Sequence, residues 1–99
     1  MSRAAVVVNP VKVSDPGTFR RQVSAALAEH GWDEPMWLET TLEDPGEGQA
    51  RAAAEAGVDV VLACGGDGTV TAAATGLAGT VTPLAVIPLG TGNLLARNL

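Results

Sequence analysis

The sequence VDVVLACGGDGT occupies residues 58–69, and it predicts a strand that runs directly into a glycine-rich loop. Apart from Asp59, its first seven residues form an apolar run, typical of a strand buried on both faces of a parallel sheet. The loop that follows, Gly65-Gly66-Asp67-Gly68-Thr69, precedes a helical pattern. Glycines permit positive φ and close approach, and the N–H groups that begin a helix point at an anion. The stretch therefore indicates a phosphate-binding loop.

The chain before this stretch contains two strand patterns and one helix pattern. Residues 4–8 are a short apolar run that ends at Asn9-Pro10, and residues 32–40 hold the second strand. Between them, Asp15 is expected to cap a helix that has a proline at its first position, and Gly31 is expected to end it. The apolar face of this helix consists of Phe19, Val23, Ala26 and Leu27.

Two further helices and a fourth strand complete the alternation. Asp44, Pro45 and Glu47 have the spacing of a capping box, which predicts a second helix from residue 45 to residue 56. After the glycine-rich loop, apolar residues at helical spacing predict a third helix that ends between residues 76 and 79. Residues 84–87 are the fourth predicted strand. The segment that follows is a turn at residues 88–93 and an apolar helix start at residues 94–97.

Four strands with helices between them predict an α/β fold, namely a three-layer, doubly wound and largely parallel sheet. Ligands bind such sheets at the carboxyl ends of the strands. The unusual residues of this chain all follow predicted strands: Asn9, Thr40, Thr41, the GGDGT run at 65–69 and the GTGN run at 90–93. Neither glycine run matches the P-loop or the GxGxxG fingerprint, and no lysine follows either of them. Backbone amides and hydroxyls are therefore the expected phosphate ligands.

Composition limits the classes of partner. The 99 residues predict one small domain, 1–99, with a net charge of −5 and no basic stripe for a nucleic acid or an anionic membrane. Cys64 is the single cysteine, which excludes an internal disulfide. The N-terminal apolar run is too short for a signal peptide or a membrane span. We expect a soluble, cytoplasmic protein that does not bind nucleic acid.

Asp67 is the residue of the loop that a plain turn does not explain. A tight turn with a helix cap would account for two of the glycines but not for the acid. A carboxylate among phosphate ligands repels them unless it holds Mg²⁺ or a hydroxyl. We therefore interpret Asp67 as the catalytic residue, acting through Mg²⁺ or by ordering the loop.

Three motifs together carry a family resemblance: GGDGT at 65–69, PLGTGNLLAR at 88–97 and the Val-Asn-Pro that ends the first strand. At these spacings, residues 4–99 resemble the N-terminal half of the diacylglycerol kinase catalytic domain, a family that includes bacterial lipid kinases and is similar to sphingosine kinases. The resemblance implies the ATP-binding half of an enzyme that transfers the γ-phosphate of ATP to a lipid hydroxyl, such as that of diacylglycerol.

The resemblance also assigns residues to the ATP and Mg²⁺ cofactors. The nucleotide-binding set is Asn9, Pro10, Thr41 (or its neighbour Thr40), Gly65, Gly66, Asp67, Gly68, Thr69, Gly90, Thr91 and Asn93. The chain departs from the family where Val11-Lys12 replaces a serine and a glycine, which makes Lys12 a candidate for contact with the anion. It departs again where Thr71-Ala72 replaces an asparagine and a glutamate.

The family continues into a β-rich second domain that holds the lipid cleft and the general base. The resemblance therefore implies that residues 1–99 alone are inactive, and that the full-length protein contacts the membrane peripherally. Two alternatives stay open. One is a NAD kinase-like phosphotransferase, in which Asp67 contacts the acceptor hydroxyl; the GTGN run favours the lipid kinase over it. The other is a noncatalytic nucleotide-binding or assembly module, dimeric through an exposed sheet edge or the fourth helix.

Overall fold

The computed structural model describes residues 2–88, which contain four strands, three α-helices and one 3-10 helical turn. In chain order they are β1 (Ala4–Val8), the 3-10 turn (Pro10–Lys12), α1 (Pro16–Glu29), β2 (Met36–Glu39), α2 (Glu47–Glu55), β3 (Val60–Gly65), α3 (Asp67–Leu77) and β4 (Leu84–Pro88). The candidate residues Gly90, Thr91 and Asn93, and the helix predicted at residues 94–97, lie outside the described residues.

The four described strands form one parallel sheet in the order β2-β1-β3-β4. The side chains of α1 pack on one face of the sheet, and those of α2 and α3 pack on the other. This arrangement confirms the predicted three-layer α/β fold. The strand that follows β1 in the chain, β2, lies on one side of β1, and β3 lies on the other. The carboxyl ends of β1 and β3 therefore form the switch point where such sheets bind ligands.

Strand β1 lies at the centre of both apolar layers. All five of its residues are buried, and alternate side chains serve opposite faces. Val6 and Val8 pack toward Val23 of α1, whereas Ala5 and Val7 pack toward α2 and α3. Helix α2 presents only alanines to this layer, and α3 presents Ala73 and Leu77. These small side chains allow α2 and α3 to lie close to each other and to the sheet.

The predicted start of α2 is wrong. The helix begins at Glu47, because Gly46 has φ 143°, a conformation that is not helical and that other residues rarely adopt. Asp44 still satisfies the first turn, since its Oδ1 accepts a hydrogen bond of 2.9 Å from Gly48 N. The bend at Gly46 lets the chain approach α3, where a Cβ on this glycine would lie 3.3 Å from Thr69 O.

The predicted start of β3 is also wrong, because the strand begins at Val60 rather than at residue 58. The two residues before it are used in other contacts. Val58 N donates to Ala53 O at 3.4 Å, which closes the end of α2. The Asp59 carboxylate accepts a hydrogen bond of 2.8 Å from Arg3 N, which joins the amino-terminal ends of β1 and β3.

Helix α1 matches its prediction, with Asp15 as N-cap and Gly31 following its end at φ 79°. Asp15 accepts hydrogen bonds from Thr18 N at 3.1 Å and from Thr18 Oγ1 at 2.9 Å. The hydrogen bond from the Thr18 backbone, followed by that from its hydroxyl, lowers the pKa of Asp15 below its usual value.

We predict that Asp15→Ala lowers Tm at neutral pH, whereas Asp15→Asn, which keeps an N-cap side chain, lowers it less. Because the folded-state pKa is lowered, the stabilisation by the ionised group is present above the unfolded pKa of about 4 and is lost as the pH falls through the folded value. The Tm difference between wild type and Asp15→Asn should therefore shrink in acid. A difference that stays constant across this pH range in thermal melts would contradict the prediction.

Candidate active site

The structure brings the end of β1 against the start of the glycine-rich loop. Val8 pairs with Cys64 across the sheet, and the next residue, Asn9, donates its N–H to Cys64 O at 3.0 Å. A Cβ on Gly65 would lie 3.3 Å from the Asn9 Cβ. We call residues 65–69 the glycine loop. Asn9 and the glycine loop therefore form one side of the switch-point crevice.

The glycine loop joins β3 to α3 through a single linking residue. β3 ends at Gly65, α3 begins at Asp67, and Gly66 is the extended N-cap with no side-chain hydrogen bond to the helix. The first four N–H groups of a helix have no partner within that helix. Here they belong to residues 66–69, of which Gly66, Asp67 and Gly68 are exposed. This helix start is open to an anion, with the positive end of the helix dipole behind it.

The loop glycines do not use the positive φ that glycine permits. Among residues 2–88, the glycines with positive φ are Gly31, Gly46, Gly57 and Gly79. Gly65 is instead required for space, because its Cβ would lie 2.6 Å from Thr69 Oγ1. At Gly68 nothing lies within 4 Å of an added Cβ. The glycine loop thus combines one tightly packed position with bare, exposed backbone at Gly66 and Gly68.

Asp67 occupies the first position of α3, and its carboxylate makes no hydrogen bond to residues 2–88. Within the same residues, no group of three or more His, Cys, Asp or Glu side chains could hold a metal ion. A cation at Asp67 would therefore take its other ligands from phosphate oxygens and water. Mg²⁺ is commonly bound in this way, through one or two carboxylates together with substrate phosphates, so the residues present fit this ion.

Thr69 differs from its neighbours in the glycine loop because it is buried, with 4% of its surface exposed. Its side chain covers Gly65, and its carbonyl oxygen lies beside Gly46 of the preceding loop. Thr69 therefore packs α3 against β3 and α2. It is less accessible than the three residues before it.

The threonines that follow β2 have different environments. Thr40 is buried, and its N–H donates to Val8 O at 2.9 Å, which places the end of β2 beside the end of β1. Thr41 is exposed, and its Oγ1 accepts a hydrogen bond of 2.9 Å from Asp44 N. Thr41 thus lies at the same edge of the sheet as the glycine loop, with the end of β1 between them.

Gln49 of α2 supports the loop of residues 40–44, and the sequence interpretation missed it. Its Nε2 donates to Glu39 O and to Asp44 O, both at 2.9 Å, so a single side chain ties the two ends of the loop together. Its Oε1 is buried and has no partner in the described part of the chain. No signal in the sequence distinguishes this glutamine from a solvent-facing helix residue.

Two residues of the sheet, Trp37 and Cys64, have structural roles. Trp37 packs edge-on against Phe19 with 6.3 Å between ring centroids, and the Arg20 guanidinium lies 4.8 Å from the centroid of the Trp37 ring. Cys64 is fully buried, and burial raises the pKa of its thiol to about 12. It is therefore a packing residue and not a nucleophile at neutral pH.

Comparison with known proteins identifies the family of this chain. Residues 3–99 match the model of the diacylglycerol kinase catalytic domain. The chain belongs to this family. A segment of 46 residues is 54% identical to a diacylglycerol kinase of Mycobacterium tuberculosis, and it represents 46% of this chain and 15% of that relative.

A crystal structure of a diacylglycerol kinase from Bacillus anthracis has the same fold as this family member, with a TM-score of 0.70 and 26% sequence identity. The superposition covers 99% of this chain and 36% of the Bacillus protein. This chain therefore spans about a third of the length of the solved relative.

In this member of the diacylglycerol kinase family, the candidate nucleotide-binding residues that the structure describes lie at one edge of the sheet. Asn9, Pro10 and the glycine loop meet at the carboxyl ends of β1 and β3, and Thr41 follows the neighbouring strand. Gly90, Thr91 and Asn93 follow β4 in the sequence and lie outside the described residues. In the part of the chain that the structure describes, no helix is long and apolar enough to cross a membrane.

Proposed function

We propose that this chain is the ATP-binding part of a lipid kinase that transfers the γ-phosphate of ATP to a lipid hydroxyl, such as that of diacylglycerol. One observation carries the proposal. The start of α3 is exposed, bare backbone at the switch point of a parallel sheet, in a member of the diacylglycerol kinase catalytic domain family. The relatives named above are diacylglycerol kinases.

The proposed phosphate ligands are the N–H groups of residues 66–69, which have no partners within α3. Gly66 and Gly68 present no side chain, so a phosphate oxygen can approach the backbone directly. Asn9 borders the same crevice, and we assign it and Thr41 to the rest of the nucleotide. Phosphoryl transfer depends mainly on positioning and on stabilisation of charge, which fixed backbone donors supply without reorganisation.

Asp67 is the proposed cation ligand. Its carboxylate is exposed beside the phosphate-binding amides and has no partner in residues 2–88. When bound, Mg²⁺ would neutralise charge on the phosphates being transferred. The role of Asp67 is then to hold this ion against the first turn of α3, where the carboxylate also interacts favourably with the helix dipole.

The described residues offer no convincing general base at this site. His30 caps the C-terminal end of α1, which lies toward the opposite edge of the sheet. Glu39 is the last residue of β2, at the correct edge, but its carboxylate lies 3.7 Å from the Arg20 guanidinium. We propose that the base and the lipid cleft belong to a β-rich second domain of the full-length protein, which would contact the membrane peripherally.

The deciding experiment supplies the full-length protein with Mg²⁺ and ATP labelled at its γ-phosphate. Separate reactions contain diacylglycerol in mixed micelles, NAD, or no acceptor. We expect Mg²⁺-dependent transfer of label to the lipid. Label in NAD instead would identify a NAD kinase-like enzyme, and nucleotide binding without transfer to either acceptor would identify a noncatalytic module.

Gly66→Ala and Gly68→Ala should separate stability from binding. Neither glycine has positive φ, and an added Cβ meets no atom closer than 4.0 Å, so Tm should stay constant or rise. The same Cβ would obstruct a phosphate at the backbone, so we expect the affinity for Mg-ATP to fall about tenfold, in line with the loss of one charge-assisted hydrogen bond. Melting curves and calorimetric titrations of each variant measure both quantities.

Gly57→Ala is the matched control. Gly57 has φ 81°, and no atom lies within 4 Å of an added Cβ. It follows the end of α2, away from the site. This substitution should lower stability by about 1 kcal/mol through backbone strain and leave nucleotide affinity unchanged. Unchanged Mg-ATP affinity in both Gly66→Ala and Gly68→Ala would show that phosphate does not approach this backbone.

A further inference from the structure

We propose that Lys12 binds the terminal phosphates of the nucleotide at the glycine loop. This inference rests on the proposed function and names a ligand in the same site. A P-loop carries its phosphate-binding lysine directly after its glycines, and no lysine follows either glycine run of this chain. Lys12 would supply the positive charge from a different loop, the one between β1 and α1.

The backbone of Lys12 is tied to the glycine loop through Asn9. Lys12 N donates to Asn9 O at 3.0 Å, and Asn9 Oδ1 accepts a hydrogen bond of 3.1 Å from Val11 N, so Asn9 caps the 3-10 turn that ends at Lys12. Asn9 N in turn donates to Cys64 O at 3.0 Å, directly before Gly65. The position of Lys12 relative to the glycine loop is therefore set by hydrogen bonds.

The side chain of Lys12 extends over the open part of that loop. Its Cε lies 4.0 Å from the position of a Cβ on Gly66, and no other atom comes within that distance. Lys12 is exposed, and it forms no ion pair with a carboxylate among residues 2–88. The four-carbon stem can thus bring the ammonium to a phosphate held by the N–H groups at the start of α3.

Among residues 2–88, the other cations near this edge are engaged elsewhere. Arg20 stacks on Trp37 and pairs with Glu39, and Arg21 donates to Thr18 Oγ1 at 3.0 Å. A chain of net charge −5 binds a polyanion more tightly when a side-chain cation offsets this charge, and Lys12 is placed to provide it. The charge of Lys12 should stabilise the terminal phosphates most. Its contribution to binding should therefore be larger for a nucleotide with a longer phosphate chain.

The test uses full-length protein and calorimetric titration with Mg-ATP and with AMP. Lys12→Met keeps the apolar stem and removes the charge, and we expect the Kd for Mg-ATP to rise about tenfold, as for loss of one charge-assisted contact. The Kd for AMP should stay constant, and Lys12→Arg should restore most of the affinity for Mg-ATP. KM for ATP should rise more than kcat falls.

Arg3→Gln is the control, because it removes one positive charge at the opposite edge of the sheet, beside the start of β1. Equal Mg-ATP affinity of Lys12→Met and wild type would overturn the proposal. An equal loss for ATP and AMP would also overturn it, since that pattern indicates a distorted loop. Failure of the wild type itself to bind Mg-ATP would remove the proposed function, and this inference with it.

Discussion

Asp67→Asn in the full-length protein is expected to reduce kcat for lipid phosphorylation on the order of 100-fold, the size of effect seen when one preorganised electrostatic contact is removed from an active site. The exposed carboxylate at the start of α3 has no structural partner within residues 2–88, so Tm should hardly change. Because a cation contact matters most as charge develops on the transferring group, kcat should fall more than the affinity for ATP.

Glu55→Gln is the control, because it also removes one negative charge, from an exposed position at the end of α2. It should leave kcat and Tm unchanged. Asparagine is also a good residue near a helix N-terminus, so a purely structural Asp67 would tolerate this substitution. Turnover is measured with labelled ATP and diacylglycerol. Near-equal values for wild type and Asp67→Asn would show that the glycine loop is only a strand-to-helix turn.

Gly76→Ala should cause a large loss of stability. Gly76 lies within α3 where it crosses α2, and a Cβ there would overlap the carbonyl oxygen of Glu47 and lie 3.0 Å from its carbonyl carbon. Backbone atoms cannot rotate away as a side chain does, so the helices must separate. We expect the free energy of unfolding to fall by about 3 kcal/mol, the upper range for overpacking a core.

Gly68→Ala in the same helix is the control, because nothing lies within 4 Å of its added Cβ. It should keep or increase the free energy of unfolding, since alanine favours a helix over glycine by about 1 kcal/mol. Denaturant unfolding of the two variants compares them directly. A Gly76→Ala protein as stable as wild type would show that the α2–α3 contact is looser than described.

The sequence was sufficient to predict the elements whose signals are local. The apolar run of β1, the Asp15 cap with its following proline and the terminating Gly31 each act within a few residues, and α1 and β1 appear as predicted. The start of α2 was missed because Pro45 and Gly46 fit a helix start locally. What decides it is the approach of Gly46 to Thr69 in α3, a contact between segments distant in sequence.

In the candidate site, too, local signals predicted some features, and contacts between distant segments decided the others. Periodicity placed the glycine loop between a strand and a helix, and the rule for parallel sheets placed Asn9 beside it. The reason for the glycines was not predictable, because the space at Gly65 is limited by Thr69 and not by backbone conformation. The stem of Lys12 over Gly66 and the two hydrogen bonds of Gln49 likewise depend on how separate loops meet.

The claim that the glycine loop binds nucleotide phosphates is tested most directly by following backbone amide resonances during titration with Mg-ATP. We predict that the largest shifts fall on Asn9 and on residues 66–69, while Arg3 and Asp59, at the opposite edge of the sheet, stay unchanged. AMP should shift the amides of residues 66–69 much less than Mg-ATP does. Saturable Mg-ATP binding that leaves residues 66–69 unshifted would contradict the account.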